Sequence, residues 1–281
     1  MTTLQSWIAY SDTGESPQLP RAIYIASDSR ITWGSAKHRW EAGRKVFAPR
    51  EQPHLFGFCG DVILPALVIG QILSAIDSGV LFAQNASATD RHDAIFKAVK
   101  RAVDRAISTP TSNFTIHHIC RESVWPQKTF RAWDIFFTAS ERSCTSHEIA
   151  VPLTTDLVGT YGSGKMSATQ HHQKWQLSDA AGRSRALLAS FCDSIKLGND
   201  PLSGGPPQVA ALYTKGPPVQ IGMIVEGRRF LNGMEVDIKP YLSNIEWRDS
   251  LGQVVEPITG DPLPGARRFA RPKKLQKPIE T

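Results

Sequence analysis

Short apolar runs separated by polar, proline-containing segments open the chain, and this pattern predicts β-strands. The run at residues 21–27 is too continuous for a strand with one solvent-exposed face. The polar stretch at 11–20 and the turn that contains Pro49 and Pro53 are typical of loops. The first part of the chain therefore predicts four strands, over residues 4–10, 21–27, 45–48 and 54–59.

Two segments with helical periodicity follow. Asp61 can cap the first, which is predicted to end at Ser78–Gly79. The second runs from about residue 90 to 108, and its apolar residues recur in pairs four positions apart from Ala94 to Ile107. Such spacing gives one buried stripe, and the basic residues lie mostly off it, on a surface that we expect to be solvated.

The second half of the chain repeats this order of elements. It predicts three strands, a helical region at 165–197 broken near 179–182, and three more strands. The predicted strands lie at residues 114–120, 134–139, 148–153, 208–213, 219–226 and 229–231. Strands and helices in such groups differ from the regular alternation of a parallel α/β sheet. We expect an α+β fold, with two mainly antiparallel sheets face to face and a helix pair outside each.

Charge is concentrated at the C-terminal end. The chain has 281 residues and a net charge of +6, and residues 266–281 contain six basic residues against one acidic residue. Such a tail could attract nucleic acid, a membrane or an acidic partner, but no aromatic stacking array accompanies it. We predict one domain over residues 1–255 and a disordered basic, proline-containing tail over 256–281, with no nucleic-acid role.

Several functional classes are disfavoured by composition. No apolar run approaches the roughly 18 residues of a membrane span, and the N-terminus lacks the features of a secretory signal. The four cysteines are widely spaced, which disfavours disulfides and a zinc site and fits a cytoplasmic protein. The pairs His117–His118 and His171–His172 diverge on any strand or helix, so neither is expected to bind metal. No cofactor is predicted.

A glycine-rich segment at residues 159–166 allows two interpretations. Gly159, Gly164 and Lys165 match the phosphate-binding template G-x-x-x-x-G-K-[ST], but Met166 occupies the position that needs a hydroxyl. The alternative is a tight turn, Gly162 to Gly164, that presents a serine at a helix start. We favour the turn.

The second residue, Thr2, has the chemistry of a minimal catalyst. Methionine aminopeptidase removes Met1 when the next side chain is small, which would leave Thr2 at the N-terminus. The Thr2 hydroxyl is then a nucleophile, and its own α-amino group, with an ordinary pKa of roughly 7.7–8.0, can act as general base. Taken alone, threonine at this position is also compatible with an ordinary N-terminus.

Five features, in order along the chain, resemble the proteasome β-subunit branch of the N-terminal nucleophile (Ntn) hydrolases, which includes the bacterial proteasome-like peptidases. The D-x-x-S-G-G match at 200–205 is the most specific, and together the features span roughly residues 2–235. They are Thr2-Thr3 before a strand, A-S-D-S-R at 26–30, Lys45-Val46 with G-F-C-G-D at 57–61, G-S-G at 162–164, and D-P-L-S-G-G at 200–205.

This resemblance implies a four-layer αββα sandwich and a role for each matched residue. Thr2 would be the nucleophile, Asp28 and Lys45 a charge pair beside it, and the Gly60 backbone the oxyanion site. Three further residues would orient the α-amine and its water, namely Ser163, Asp200 and Ser203.

The implied activity is that of a threonine-type peptidase or amidohydrolase that acts on peptide or other amide bonds, with a non-catalytic ring or scaffold subunit as the alternative. The family works as stacked rings, so a homo-oligomeric ring is expected, whereas no motif identifies an ATPase partner. Ile31, Phe58 and Val62 are expected near the first specificity pocket. The loop at 11–20 and the chain beyond about 241 have no counterpart in a minimal subunit, and we expect them to shape ring contacts.

Overall fold

The computed structural model describes residues 2–11, 19–123, 128–237, 245–266 and 268–275. These residues form strands and α-helices in alternating groups. The strands are β1 (Leu4–Tyr10), β2 (Pro20–Ser27), β3 (Ile31–Trp33), β4 (Ser35–Trp40), β5 (Val46–Phe47), β6 (His54–Gly60), β7 (Phe114–Ser123), β8 (Lys128–Thr138), β9 (Ser143–Ile149), β10 (Asp156–Tyr161), β11 (Gln208–Tyr213), β12 (Val219–Val225), β13 (Arg228–Leu231), β14 (Met234–Glu235) and β15 (Glu246–Asp249). The helices are α1 (Ile63–Asp77), α2 (Ala88–Arg105), α3 (Lys165–Gln176) and α4 (Ser184–Leu197).

The larger sheet contains β1 near one edge. Its strand order is β10-β1-β2-β11-β12-β13-β14, and β15 pairs with β12. All of these pairings are antiparallel except that of β15, which runs parallel to β12. Leu4 of β1 lies opposite both Ser27 and Tyr161. The first residues of the chain are therefore held between the ends of β2 and β10.

The second sheet has the order β5-β6-β7-β8-β9 and is antiparallel throughout. The β3–β4 pair forms a separate hairpin. Apolar side chains of the two sheets pack against each other, including Leu4 and Ile25 from the larger sheet and Leu55 and Phe130 from the smaller. Because side chains alternate along a strand, Ser6 shares this inner face with Leu4 and Ile8.

Each sheet also packs against helices on its other face. Buried residues of α1 and α2 contact Phe58 and Phe137 of the smaller sheet. Leu188 and Phe191 of α4 contact Trp7 and Tyr24 of the larger sheet. Helix α2 illustrates why these segments are helical. Ser87 caps it, with a hydrogen bond from the Asp90 N–H to the Ser87 side chain and another from the Ser87 N–H to the Asp90 side chain. The apolar residues of α2 recur on one face.

The expectation of a mixed chain with antiparallel sheets and four helices is confirmed for the described residues. Several strands differ from the sequence prediction, among them β14 and β15, which no pattern predicted. The strand expected at 148–153 lies earlier, as β9, and β10 occupies a segment for which no strand was predicted. The β3–β4 hairpin was not expected. The side chains of β4 are mostly exposed and β10 is a half-buried edge strand, so neither shows the apolar run on which strand prediction depends.

Part of the segment that the sequence assigned to a disordered tail has fixed contacts. Arg271 donates two hydrogen bonds of 2.6 Å to the Asp193 carboxylate, and the Phe269 ring stacks on Trp175. Asp193 therefore holds part of this basic segment against α4. The remaining positions of that tail, 267 and 276–281, lie outside the described residues, as do Met1 and most of the 11–20 loop. None of the described helices combines the length and apolar character needed to cross a bilayer.

Candidate active site

The backbone of Thr2 is packed against the glycine turn that follows β10. The Gly164 N–H donates a 3.3 Å hydrogen bond to the Thr2 carbonyl oxygen. A Cβ at Gly162, where φ is +87°, would lie 1.9 Å from the same oxygen. Only glycine fits so close to another backbone, and the turn therefore brings Ser163 beside the start of β1. Thr2 itself is 1% exposed.

Asp28 connects three segments of the site. It follows β2, and its Oδ1 accepts hydrogen bonds of 2.9 Å from the Thr3 N–H and from Lys45 Nζ. Its Oδ2 accepts from the N–H groups of Gly204 and Arg30, at 3.0 and 3.2 Å. Four donors from different parts of the chain therefore converge on this one carboxylate. Asp28 thus fixes the positions of β1, the lysine and the 200–205 loop together.

Lys45 is a fully buried ammonium. Both Lys45 and Asp28 have 0% side-chain exposure, and their charged atoms lie 2.9 Å apart. Burial lowers the pKa of Lys45, while the charge and hydrogen bond of Asp28 oppose this shift. The amide oxygen of Gln208 accepts a 2.9 Å hydrogen bond from the Lys45 N–H, which fixes the backbone that carries the lysine.

The residues expected to orient the α-amine form one hydrogen-bonded chain. The Ser163 and Ser203 hydroxyls donate to the same oxygen of Asp200, at 2.8 and 2.7 Å. The Thr3 hydroxyl donates to the Ser203 oxygen at 2.8 Å. The structure therefore brings Ser163, Asp200 and Ser203 together, and Thr3 links them to the residue next to Thr2.

Gly60 ends β6 with φ of +96°, and a Cβ there would lie 2.2 Å from the Asn113 carbonyl oxygen. The position consequently requires glycine. Helix α1 begins three residues later, so the positive end of its dipole lies on this side of the site. Gly60, Gly162 and Ser163 border a small cavity of about 220 Å³. Its other lining residues are Cys59, Asn113, Phe114 and Thr115.

Two residues of the site were missed from the sequence. Thr3 contributes its N–H to Asp28 and its hydroxyl to Ser203. The Gln208 amide group donates to the carbonyl oxygen of Gly43 and accepts from the Lys45 N–H. Thr3 lies next to the candidate nucleophile and could have been found from that position, whereas Gln208 begins an ordinary apolar strand and carries no sequence signal.

The residues expected near the first specificity pocket are Ile31, Phe58 and Val62, and the first two are buried. Phe58 is packed in the core between the smaller sheet and its helices, and Val62 borders the same cluster. Ile31 is buried with its side chain over Gly43. None of the three is among the described residues that line the cavity beside Gly60.

The phosphate-loop interpretation of the glycine-rich segment does not fit the geometry. Gly159 lies within β10, and Met166 lies in the first turn of α3. The Gly164 N–H, which would have to face a phosphate, is bonded to the Thr2 carbonyl. The alternative of a tight turn before a helix is correct. Within the described ranges, no group of three or more histidine, cysteine or acidic side chains is placed to hold a metal ion.

No protein-family model matches the chain, and no curated protein matches it. Among solved structures, it is similar to Anbu (ancestral beta-subunit) from Yersinia bercovieri, with 12% identity and a TM-score of 0.48 over 76% of this chain and 82% of that one. It is also similar to an Anbu (Gly-1) mutant from Hyphomicrobium sp. strain MC1, with 15% identity and a TM-score of 0.44, over 78% of this chain and 86% of that one.

Proposed function

We propose that this protein is a threonine-type N-terminal nucleophile hydrolase that cleaves amide bonds, with peptides as the favoured substrate and Thr2 exposed by removal of Met1. The observation that carries the proposal is the buried Asp28–Lys45 pair, whose acid also holds the Thr3 N–H. A buried ion pair contributes little net stability, because desolvation offsets the attraction. We infer that the Asp28–Lys45 pair serves catalysis, because it lies beside the residue proposed as the nucleophile.

In the proposed reaction, the Thr2 hydroxyl attacks the amide carbonyl and its proton passes to the α-amino group. The Lys45 ammonium stabilises the forming alkoxide and helps to keep the α-amino group neutral. The backbone at Gly60, next to the start of α1, stabilises the oxyanion. The amine leaves with the transferred proton, and a water molecule deprotonated by the α-amino group then hydrolyses the acyl-enzyme.

The serine–aspartate chain has the polarity needed to orient an amine. Asp200 accepts from both Ser163 and Ser203, so each hydroxyl oxygen keeps lone pairs for another donor. A neutral or protonated α-amine on Thr2 is such a donor. This role explains why three hydrogen-bonded polar residues surround the first residues of β1.

The proposed fold is a four-layer sandwich in the order helices, sheet, sheet, helices. Three apolar clusters support it: one lies between the two sheets, one between the smaller sheet and α1 with α2, and one between the larger sheet and α4.

The function is tested by the mass of the N-terminus and by labelling with a β-lactone. We expect mature protein that begins at Thr2, with the adduct mapped to Thr2 and absent from Thr2→Ala. Thr169→Ala is the matched control, because the Thr169 hydroxyl bonds only to a carbonyl within its own helix among the contacts described. Retained Met1 with an unreactive Thr2, or a Thr2→Ala variant as active as the wild type, contradicts the proposal.

A non-catalytic ring or scaffold subunit is the second candidate, and the burial of Thr2 favours it, since a nucleophile at 1% exposure does not meet substrate. The same mass measurement separates the two. Catalysis requires that removal of Met1 opens the site, whereas a scaffold would retain Met1 or leave Thr2 unreactive.

The proposed assembly is a homo-oligomeric ring that encloses the active sites. Support comes from α1, where Ile63 and Leu67 are large apolar side chains exposed on one face. Loop 11–20 and the chain beyond about 241 are proposed to shape the contacts, although most of that loop and residues 238–244 lie outside the described residues. Light scattering tests this proposal: a mass near 31 kDa would refute the ring, and roughly ten times that mass would support it.

A further inference from the structure

A second polar cluster lies between the sheets, away from the residues assigned to catalysis. His117 of β7 is paired with Asp134 of β8, and its Nδ1 lies 2.6 Å from Asp134 Oδ1. Its Nε2 lies 2.9 Å from the Ser6 hydroxyl of β1. The Tyr161 hydroxyl of β10 lies 3.2 Å from Nδ1. The smaller sheet therefore contacts two neighbouring strands of the larger sheet through one imidazole and one carboxylate.

The donors and acceptors of this cluster are compatible with one another. An ionised Asp134 offers only lone pairs, so His117 Nδ1 must carry the proton that it shares with that carboxylate. In that tautomer, His117 Nε2 accepts from the Ser6 hydroxyl. Burial, followed by the charge of Asp134 and a hydrogen bond to it, raises the pKa of Tyr161. Tyr161 thus remains a phenol that donates towards Asp134.

The arrangement has the connectivity of a Ser-His-Asp triad, but it is closed to substrate. Ser6 and His117 are 0% exposed, and both lie within the packed interface of the sheets. A carbonyl group cannot reach the Ser6 oxygen there. The cluster must therefore act through the strands that it connects.

Both connected strands lead directly to the candidate active site. Ser6 lies in β1 four residues after Thr2, which immediately precedes that strand with Thr3. Tyr161 is the last residue of β10 and immediately precedes the Gly162–Gly164 turn. The Gly164 N–H donates a hydrogen bond to the Thr2 carbonyl oxygen, and this bond connects the turn to Thr2.

We propose that Ser6, His117, Asp134 and Tyr161 form an inter-sheet clamp that positions Thr2 relative to Ser163, with His117 and Tyr161 as positioning residues for the proposed hydrolysis. This inference rests on the proposed function. A clamp on both β1 and β10 holds the nucleophile and the amine-orienting serine in register, and displacements of about 1 Å at such a site cost as much as 10²-fold in rate.

The first experiment compares Tyr161→Phe and Ser6→Ala with Ser184→Ala, using peptide turnover and β-lactone acylation of Thr2. Ser184→Ala is the matched control because the Ser184 hydroxyl also bonds to β1, at the Trp7 indole N–H, but from the helix side. We expect both clamp variants to lower kcat and the acylation rate by about tenfold with little change in KM, and the control to lower neither. Equal rates in clamp and control variants would overturn the proposal.

A second measurement does not depend on activity. Amide hydrogen exchange at Gly164 reports the hydrogen bond between the turn and Thr2, and exchange at Thr3 reports the bond to Asp28. Tyr161→Phe should accelerate exchange at Gly164 but not at Thr3, while Ser184→Ala should change neither. If wild-type protein fails to acylate, the proposed function fails and this exchange pattern still decides the clamp: its presence supports the clamp, and an unchanged Gly164 amide overturns it.

Discussion

Asp28 is more important than Lys45, its ion-pair partner, for holding the site together. Three of its four hydrogen bonds come from backbone N–H groups, and only one comes from Lys45. Replacing Lys45 by methionine leaves the carboxylate with its backbone donors. Replacing Asp28 by alanine leaves a buried ammonium without its carboxylate and removes the acceptor of three N–H groups. Substitutions of Asp28 and of Lys45 should therefore differ in their effects on stability.

We expect Asp28→Ala to lower the free energy of unfolding by about 3–5 kcal/mol, because a buried charge loses its partner. Lys45→Met should cost less than Asp28→Ala, because the buried Asp28 carboxylate keeps three backbone N–H donors. Lys45→Met should nevertheless abolish acylation of Thr2. Urea unfolding and β-lactone labelling measure the two effects, and equal destabilisation by both variants would contradict this account.

Cys59 lines the cavity beside Gly60 but has the properties of an inert thiol. Burial raises the pKa of Cys59 to about 11. Only about one such thiol in 10³ is ionised at pH 8, and the thiolate is the reactive form. We expect iodoacetamide to label Cys59 at least about 100-fold more slowly in native protein than in urea, as measured by peptide mass spectrometry. Fast native labelling would instead make Cys59 a candidate nucleophile.

At the scale of elements, the turn after β10 depends on glycine for two separate reasons. Gly162 and Gly216 both have positive φ, at +87° and +80°, so alanine is strained at either position. A Cβ at Gly162 would also strike the Thr2 carbonyl oxygen, whereas at Gly216 it would meet no described atom within 4 Å. Comparing alanine variants at Gly162 and Gly216 therefore separates the effect of backbone strain from the effect of displacing Thr2.

Gly216→Ala should cost about 1 kcal/mol of stability and leave acylation of Thr2 unchanged. Gly162→Ala should cost more and lower acylation by at least about tenfold, because the turn must move away from Thr2. Thermal unfolding and lactone labelling test both variants. Similar acylation rates in the two would mean that the turn does not set the position of the nucleophile.

Elements with continuous apolar runs could be predicted from the sequence, because burial on both faces requires consecutive apolar residues, which are visible locally. Strand β2 and helix α4 are examples. Strand β10 could not be predicted in this way, since it is half-buried at a sheet edge and is held by pairing with β1. Its stability comes from a partner about 150 residues away in sequence, and local pattern contains no trace of such pairing.

The same distinction applies to the candidate site. Asp28, Lys45 and the 200–205 loop could be singled out only because short motifs resemble a known family. Gln208 bonds to the Lys45 N–H across 163 residues, and no motif marks it. His117 was considered only as half of the adjacent pair His117–His118, because its partners Ser6, Asp134 and Tyr161 lie far from it in sequence.

At the scale of the whole molecule, a row of three buried imidazoles connects the smaller sheet to α2. His54 Nδ1 lies 2.9 Å from His118 Nε2, and His118 Nδ1 lies 2.9 Å from His92 Nδ1. His92 Nε2 lies 2.7 Å from the Ser146 hydroxyl, which donates to the Asp134 carbonyl oxygen. These contacts link β6, β7, β9 and α2.

The row has one consistent arrangement of protons when all three rings are neutral. Because the Ser146 proton is used by the Asp134 carbonyl, His92 must donate from Nε2 and accept at Nδ1. His118 then donates from Nδ1 and accepts at Nε2 from His54 Nδ1. The lone pair of His54 Nε2 is left without a partner among the described residues. An added proton on any ring would place a charge inside this core.

Acid should therefore destabilise the protein before its carboxylates titrate. Burial lowers the pKa of His54 to about 3 and that of His92 to about 4, and it holds the pKa of His118 well below its usual value. The unfolded chain binds these protons near pH 6.5, so the stability from the neutral rings is fully present above that pH and is lost as pH falls towards 4. The limiting slope is about 4 kcal/mol per pH unit for three histidines.

Urea unfolding at pH 7.0, 6.0 and 5.0 measures this dependence of stability on pH. His54→Phe removes one titrating ring and should reduce the slope by about one third, whereas His38→Asn on the exposed face of β4 should leave it unchanged. Equal slopes in wild type and His54→Phe would show that His54 is protonated in the folded protein and that the row carries a charge.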